Sequence, residues 1–341
     1  MRASRVLITG CGGMLGKAVY SCFAERYPQV VATDKDVNEA WLEFLDVCDR
    51  DNLECYFEKH RPELVLHLAA ETDLEFCETH PDVAEATNSL ATKHIAELSE
   101  RYDSTLVYIS TAGVFDGEKN GLYTENDSPR PIMVYGQTKY DGEVHVRNCC
   151  RKHYVIRAGW MVGGGTGKDH KFVSKILEQI VENRKVIHAV VDKWGTPTYT
   201  RDFATNLFRL LETERYGVYH MVCEGSGARY HVAKEILKIC GRDDIELKAV
   251  NSDFFKDQYF APRPHSEMMW NGNLRKLGLN FMRPWQDALR DYIQQEFPHA
   301  IARKASATLA EDGVERREGA RSGDSRGRRI MDIPLSEQGP S

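Results

Sequence analysis

Three side chains in the first half of the chain have the types and spacing that proton transfer requires. Tyr135 and Lys139 are four residues apart, so on a helix they would share one face. The pKa of a phenol in water is about 10, and a neighbouring ammonium stabilises the phenolate and lowers that pKa. Thr111, after an apolar segment, could hold a substrate carbonyl for protonation. We predict that the three form a catalytic set, although a Tyr-x-x-x-Lys pair by itself usually means a surface pair.

A Gly-rich turn near the N-terminus favours the chemical interpretation. The pattern Gly10-x-x-Gly13-x-x-Gly16 follows a strand-like segment and precedes a helix-like one, which is typical of a dinucleotide-binding turn. Its glycines allow the backbone to approach a pyrophosphate, and the helix N-terminus adds N–H groups and a favourable dipole. We predict that these glycines, together with Met14 and Leu15, bind a nicotinamide dinucleotide.

Acidic residues after later strand-like segments extend this predicted site toward the nucleoside. Asp34 ends the second segment, where a carboxylate accepts a hydrogen bond from the ribose 2′-hydroxyl and repels a 2′-phosphate. NADH is therefore favoured over NADPH, although the neighbouring Lys35 softens this preference. Asp46 and Val47 are candidate contacts to the adenine, and an ordinary loop aspartate is nearly as good an interpretation of Asp46.

The first half of the chain alternates apolar strand-like segments with helix-like ones, as in a parallel sheet covered on both faces. We predict an α/β fold with a doubly wound parallel sheet of the Rossmann type, which binds ligands at the carboxyl ends of its strands. Residues 1–158 would be mainly the dinucleotide-binding domain. Residues 159–300 would form a smaller substrate-binding lobe, with some elements returning to the sheet. Residues 305–341, poor in apolar side chains, are predicted to be disordered. The predicted strands are 5–9, 29–33, 63–70, 105–110 and 153–157.

Composition narrows the partners and the compartment. The chain has 341 residues, a formal net charge of −6 and nine cysteines. The negative charge argues against nucleic acid and anionic membrane as partners, and no apolar run is long enough to span a bilayer. The beginning of the chain has no signal-like apolar core, and an odd number of cysteines without a Cys-x-x-Cys pair is typical of reduced thiols. We therefore predict a cytoplasmic protein.

Six further segments add to these motifs. They are Leu68-Ala69-Ala70-Glu71-Thr72, Ser110-Thr111-Ala112-Gly113-Val114-Phe115-Asp116-Gly117, Tyr135-Gly136-Gln137-Thr138-Lys139-Tyr140-Asp141-Gly142-Glu143, Arg157-Ala158-Gly159-Trp160, Trp194-Gly195-Thr196-Pro197-Thr198 and Arg263-Pro264-His265-Ser266. Together they resemble the extended short-chain dehydrogenases/reductases and, more narrowly, the dTDP-4-dehydrorhamnose reductases. The similarity runs from the first strand to about Phe297.

This resemblance implies an activity and a set of contacts. The family reduces the C4 ketone of a nucleotide-linked 6-deoxyhexose with hydride from NADPH or NADH. Thr111, Tyr135 and Lys139 correspond to its catalytic set, in which Tyr135 protonates the alkoxide and Lys139 anchors the nicotinamide ribose, so both also contact the cofactor. Trp160 would lie against the substrate sugar, although a core tryptophan is an equally good interpretation. The residues expected beneath the cofactor are Ala69, Ala70 and Glu71.

Two departures from the family pattern bear on the substrate and on metal binding. The family has Asp-Tyr after the catalytic threonine, and Ala112 and Gly113 stand there in this chain, so Ala112 takes the place of a group that would hold a sugar hydroxyl. Ala18 stands where some relatives have a glutamate of an intersubunit magnesium site, so we expect no metal. The expected partner is a nucleotide-sugar substrate, and a homodimer is an open possibility for the assembly.

Two other functions are compatible with the same residues. The regulatory β subunit of methionine adenosyltransferase resembles these reductases and binds a dinucleotide, and Ala112-Gly113 would suit a non-catalytic site of that kind. The retained Thr111, Tyr135 and Lys139 argue against it, because a binding role needs no proton transfer. A related nucleotide-sugar epimerase is the second alternative, whereas a dehydratase would need carboxylate chemistry beside the threonine.

Overall fold

The strands begin and end close to the predicted positions. The computed structural model of the protein describes residues 4–301, and the predicted disordered segment 305–341 lies outside the described residues. The described strands are β1 (Arg5–Thr9), β2 (Gln29–Asp34), β3 (Glu43–Phe44), β4 (Leu64–His67), β5 (Thr105–Thr111), β6 (His153–Ala158), β7 (Trp160–Val162), β8 (Val186–Val190), β9 (Trp194–Gly195), β10 (Pro197–Tyr199), β11 (Gly217–Met221), β12 (Gly227–Ala228) and β13 (Glu246–Val250).

Helices connect most of these strands, and their ends follow local chemistry. For example, the Asp49 carboxylate accepts a hydrogen bond from the Asn52 amide and begins the second helix. A π-helical turn, Ala86–Leu90, precedes the fifth helix, and short 3-10 helices lie at Ala112–Val114, Ser252–Phe255 and Pro298–Ala300. The α-helices are α1 (Gly16–Ala24), α2 (Arg50–His60), α3 (Leu74–Thr79), α4 (Pro81–Glu85), α5 (Ala91–Arg101), α6 (Val134–Cys149), α7 (Gly165–Lys168), α8 (Phe172–Val181), α9 (Thr200–Leu211), α10 (Arg229–Cys240), α11 (Gly272–Lys276) and α12 (Trp285–Glu296).

Seven strands form one parallel sheet in the order β3-β2-β1-β4-β5-β6-β11. The chain winds outward from β1 in one direction through β2 and β3, and in the other through β4, β5 and β6. Such a change of direction opens a crevice at the carboxyl ends of the central strands, where ligands bind in doubly wound folds. The predicted α/β fold with a doubly wound parallel sheet is confirmed.

Both faces of the sheet are covered, which explains why its strands are apolar throughout. Successive side chains of a strand point to opposite faces. Val6 and Ile8 of β1 accordingly belong to one buried cluster, with Phe23 of α1 and residues of α8 and α9. Leu7 belongs to the other cluster, with Phe57 of α2 and residues of α5 and α6. The helices that hold the candidate site are therefore fixed to the sheet from two sides.

The second half of the chain contributes to the sheet and also builds the wall beyond its carboxyl edge. β11 pairs with β6 along five residues, from Gly217 to Met221. Three small two-stranded pairings, β7 with β10, β8 with β13 and β9 with β12, lie outside the main sheet. The predicted division at residue 158 stays a prediction.

Among residues 4–301 no helix is both long and apolar enough to cross a bilayer. The cytoplasmic location stays a prediction.

Candidate active site

One cavity of about 890 Å³ lies at the carboxyl ends of β1, β2, β4, β5 and β6 and collects nearly all the predicted site residues. This volume falls within the range of small-molecule binding sites. Gly16 and Ala112 do not line it. The predicted residues that do are Gly10, Gly13, Met14, Leu15, Asp34, Asp46, Val47, Ala69, Ala70, Glu71, Thr111, Tyr135, Lys139 and Trp160.

The Gly-rich turn has the shape that a close-approaching ligand needs. Gly10 has a φ of +70°, and a Cβ on it would lie 2.2 Å from the Ala69 backbone nitrogen, so a side chain is excluded for two reasons. Gly16 begins α1, and a Cβ there would lie 1.8 Å from the Cys11 carbonyl oxygen. Gly10 thus allows the loop after β4 to pack against the turn, while Gly16 brings the helix against it. The residues present fit a dinucleotide.

Asp34 holds the turn as well as facing the cavity. Its Oδ2 accepts a hydrogen bond from the Gly12 amide at 2.9 Å, and its Oδ1 accepts one from the Asp36 amide at 3.0 Å. Each carboxylate oxygen can accept a further hydrogen bond. The carboxylate can therefore fix the loop and still receive a ribose hydroxyl, and its negative charge lies in the position predicted from the sequence.

The remaining predicted cofactor contacts come from the loops after β3 and β4. Asp46 accepts a hydrogen bond from the Cys48 amide at 2.9 Å, and Val47 is buried beside it. The Glu71 amide donates to Asn88 Oδ1 at 2.9 Å, and Asn88 Nδ2 donates to the hydroxyl of Thr138 on α6 at 3.1 Å. Asn88, fully buried in the π-helical turn, thus ties the cofactor loop to the catalytic helix. Sequence reasoning missed it, because one asparagine in a helix-like segment carries no signal of burial.

Tyr135 and Lys139 lie on α6, and Thr111 ends β5, so the sheet and one helix bring the three together on the cavity wall. Burial raises the pKa of Tyr135 to about 12, and a hydrogen bond with the Thr111 hydroxyl opposes this rise. The Thr111 Oγ1 also accepts a hydrogen bond from the Gly113 amide at 3.0 Å, so its own hydrogen can be donated to the Tyr135 oxygen. The two hydroxyl groups are therefore held together on the cavity wall.

Lys139 shows a different electrostatic balance from the one expected. Burial lowers its pKa to about 7, and the negative charge of Glu143 one turn along the helix opposes this shift. Its Nζ lies 4.1 Å from the centroid of the Tyr108 ring. The expectation that the ammonium would lower the pKa of Tyr135 is wrong, because burial is the largest influence on both groups.

Replacing Lys139 by methionine is expected to stabilise the folded protein by about 2–5 kcal/mol near pH 6. Since the folded-state pKa lies below the ordinary value for lysine, the folded state loses its proton first as the pH rises from about 7 to 10.5. The cost of burying the charge is therefore complete below about pH 7 and disappears above about pH 10.5. Thermal unfolding near pH 6 and near pH 10 measures the difference. Lys93→Met, at a lysine whose side chain is 43% exposed, is the matched control, and an equal gain for Lys139→Met at both pH values would contradict the prediction.

Trp160 lines the cavity, and Arg229 and Gly195 pack against its ring. Its contact with a sugar stays a prediction. The guanidinium carbon of Arg229 lies 3.5 Å from the ring centroid. Gly195 also packs against the indole ring: a Cβ there would lie 2.3 Å from Trp160 Cε2, so only glycine allows this contact. The indole N–H donates to Glu267 Oε2 at 2.7 Å. Arg229 and Glu267, which sequence reasoning missed, line the cavity beside Trp160.

The two residues after Thr111 are buried rather than presented to a ligand. Ala112 is 1% exposed and packs in a small cluster with Val114, Phe115, Tyr123, Val222 and Met269. A Cβ on Gly113 would lie 2.6 Å from the terminal carbon of Met133. The structure therefore does not bring Ala112 into the cavity. Because the short 3-10 helix turns it into the core, it is unable to hold a sugar hydroxyl.

Comparisons with known proteins agree with this arrangement. The crystal structure of dTDP-4-dehydrorhamnose reductase from Bacillus anthracis in complex with NADP is 29% identical, with a TM-score of 0.78 over 86% of this chain and 99% of that one. The probable dTDP-4,6-dihydroxy-2-methyloxan-3-one 4-ketoreductase of Streptomyces antibioticus is 31% identical over 303 residues, which are 87% of this chain and 96% of the relative.

One relative corresponds to the regulatory alternative. Methionine adenosyltransferase 2 subunit beta of Xenopus laevis is 25% identical over 294 residues, which are 85% of this chain and 87% of the relative.

Residues 4–297 match the family described as RmlD substrate binding domain. The match spans the sheet, the Gly-rich turn and the whole candidate site, and it confirms the resemblance inferred from the sequence. The chain belongs to the RmlD substrate binding domain family.

Proposed function

We propose that the protein is a nicotinamide-dependent ketoreductase that reduces the 4-keto group of a nucleotide-linked deoxysugar. One observation carries this proposal: a single cavity joins the glycine cradle of Gly10 and Gly13 to the hydroxyl groups of Thr111 and Tyr135 and to Lys139. Relatives similar to this chain along almost their whole length are named as reductases of dTDP-linked keto sugars, which supports this substrate class.

The chain's own residues would perform the proton chemistry. Thr111 donates a hydrogen bond that positions the substrate carbonyl beside Tyr135, and the Tyr135 hydroxyl gives its proton to the forming alkoxide. With a pKa of about 12, Tyr135 holds its proton at neutral pH and is therefore in the form that an acid requires. Lys139 would bind the nicotinamide ribose. A reduced nicotinamide, when bound, supplies the hydride.

The proposal is tested by incubating the full chain with a panel of nucleotide-linked 4-keto sugars and either NADH or NADPH. Loss of reduced-nicotinamide absorbance together with the appearance of the 4-hydroxy sugar would support it. A panel without turnover, measured on protein that binds the cofactor, would count against it. In that case the regulatory alternative, for which the Xenopus laevis subunit is the precedent, predicts co-purification with a methionine adenosyltransferase catalytic subunit.

We propose further that Asp34 makes NADH the better cofactor. Asp34→Asn keeps an oxygen for the Gly12 amide but removes the charge that repels a 2′-phosphate. We expect the ratio of kcat/KM with NADPH to kcat/KM with NADH to rise about tenfold, because the repulsion energy of one exposed like-charge contact corresponds to a factor of that order. Initial rates with both cofactors measure the ratio. Asp51→Asn, an exposed carboxylate on α2, is the control, and an unchanged ratio in Asp34→Asn would contradict the assignment.

The homodimer and the metal-free site expected from the sequence stay predictions. Sedimentation of the purified chain checks the first, and elemental analysis of the active protein checks the second.

A further inference from the structure

Glu267 has an unusual position for a charged side chain, because it lines the cavity and is held by other groups of the chain. Its amide donates a hydrogen bond to the Trp194 carbonyl at 2.8 Å, which fixes the backbone. Its Oε2 accepts the hydrogen bond from the Trp160 indole at 2.7 Å. Within residues 4–301 no hydrogen bond to Oε1 is formed, so the carboxylate is oriented and one of its oxygens is available to a ligand.

Cationic side chains surround this carboxylate. The charges of Arg229, Arg263 and Lys193 favour the ionised form of Glu267, against burial, which raises its pKa. Arg263 is already paired with Glu75 at 2.7 Å, and the Lys193 ammonium donates to the Arg263 carbonyl at 2.7 Å.

Arg229 differs from these two cations. In the described part of the chain it makes no hydrogen bond or ion pair, and it packs on the rings of Trp160 and Phe172. Arg229 is therefore the cation that balances Glu267 inside the cavity without taking its free oxygen.

Glu267 also acts on the reacting end of the site. Thr111 pairs with Ala158 across β5 and β6, two residues before Trp160, and the Trp160 indole holds Glu267. Glu267 and Tyr135 line the same cavity, and the negative charge of Glu267 contributes to the raised pKa of Tyr135. Thr111 and Tyr135 would hold the ketone oxygen. A hydroxyl on the carbon next to that ketone would then be the nearest polar group of the sugar to Glu267. Ala112, which the family pattern suggested for this contact, is buried away from the cavity.

We propose that Glu267 determines substrate specificity: its free Oε1 accepts a hydrogen bond from the sugar hydroxyl on the carbon adjacent to the ketone. The proposal rests on the proposed ketoreductase function. A carboxylate that loses its water when the substrate binds needs a replacement donor, and a substrate without that hydroxyl leaves it unpaired. Selection against deoxygenated sugars at this carbon follows directly.

The test compares two substrates in the full-length protein, dTDP-4-keto-6-deoxyglucose and its analogue that lacks the 3-hydroxyl. For Glu267→Gln we expect kcat/KM to fall about 100-fold with the first substrate and by no more than about threefold with the analogue. Glu246→Gln, an exposed carboxylate on β13, is the matched control and should change neither value. Equal losses with both substrates would show that Glu267 only supports the structure and would overturn the proposal.

A second readout separates a contact from a scaffold. Since the charge of Glu267 raises the pKa of Tyr135, Glu267→Gln should move the alkaline limb of the pH profile of kcat to lower pH. An unmoved limb would count against the proposal.

If Glu267→Gln does not fold, Trp160→Phe is the substitute, because it keeps an aromatic ring against Arg229 but removes the N–H. It should lose activity selectively with the hydroxyl-bearing substrate, and a loss shared by both substrates would overturn the proposal. Wild-type protein inactive on every keto sugar would instead overturn the proposed function.

Discussion

Tyr135→Phe is expected to lower kcat by about 10²–10⁴-fold, the range found when a positioned general acid is removed. The phenyl ring keeps the packing of the side chain, and only the hydroxyl that would protonate the alkoxide is lost. Cofactor affinity should change by no more than a few-fold, because the glycine cradle and Asp34, which line the same cavity, are left unchanged by the substitution. Initial rates with a nucleotide-linked 4-keto sugar, together with the quenching of nicotinamide fluorescence on binding, measure the two effects separately.

Tyr56→Phe on α2 is the matched control for this prediction. Its hydroxyl donates to the Phe44 carbonyl at 2.8 Å on the outside of the molecule, so its loss should leave kcat unchanged. A Tyr135→Phe protein that kept more than about a tenth of the wild-type kcat would contradict the role of the phenol as the acid. A large loss of cofactor affinity instead of kcat would reassign Tyr135 to binding.

The second large effect is on stability: Glu143→Gln is expected to lower the free energy of unfolding by about 3–5 kcal/mol. Glu143 and Arg157 form a buried ion pair whose side chains are 0% and 3% exposed, with Arg157 Nη2 2.7 Å from Glu143 Oε2. The Ser110 hydroxyl donates to the same carboxylate at 2.6 Å. Glutamine leaves the guanidinium of Arg157 buried without its counter-charge, which costs more than the pair itself contributes. Urea unfolding followed by circular dichroism measures the loss.

Two controls define the origin of this loss. The double variant Glu143→Leu with Arg157→Met removes both charges and should be more stable than Glu143→Gln alone. Glu182→Gln breaks an ion pair with Arg184 whose side chains are 57% and 63% exposed, and it should change stability by no more than about 0.5 kcal/mol. A Glu143→Gln protein as stable as the Glu182→Gln protein would contradict the prediction.

Glu143 also connects stability to the site. Its charge is what opposes the lowered pKa of Lys139, one helical turn away. Removing that charge should therefore make the lysine ammonium harder to form, so folding and the protonation state of the cofactor-binding lysine respond to the same substitution.

The parallel sheet could be predicted from the sequence because its cause is local. Apolar segments such as 5–9 and 105–110 alternate with helix-like ones, and this order allows few topologies. The Gly-rich turn was equally readable, since the positive φ of Gly10 and the packing of Gly16 both require glycine. Tyr135 and Lys139 could be placed on one face because helix geometry fixes the position of residues four apart.

The other end of the site depends on contacts that no local pattern encodes. Trp160, Arg229 and Glu267 come from three distant parts of the chain and meet only in the folded protein. No local pattern in the sequence therefore indicates that Arg229 packs on the Trp160 ring or that Glu267 accepts a hydrogen bond from its indole. The electrostatics failed for a related reason: spacing shows that Lys139 can approach Tyr135, but only burial shows which charge states both groups prefer.

The late position of β11 has a consequence for how the chain is made. β6 pairs with β5 on one side, but its other edge is completed only by residues 217–221. During synthesis, the nascent chain therefore exposes the N–H and C=O groups of β6 for as long as it takes to add about sixty residues, which at ribosomal rates is on the order of seconds. An unpaired edge of this kind is a template for pairing with another chain. Fragments that stop near residue 158 should consequently aggregate, and the full chain should gain its resistance to aggregation only when β11 leaves the ribosome.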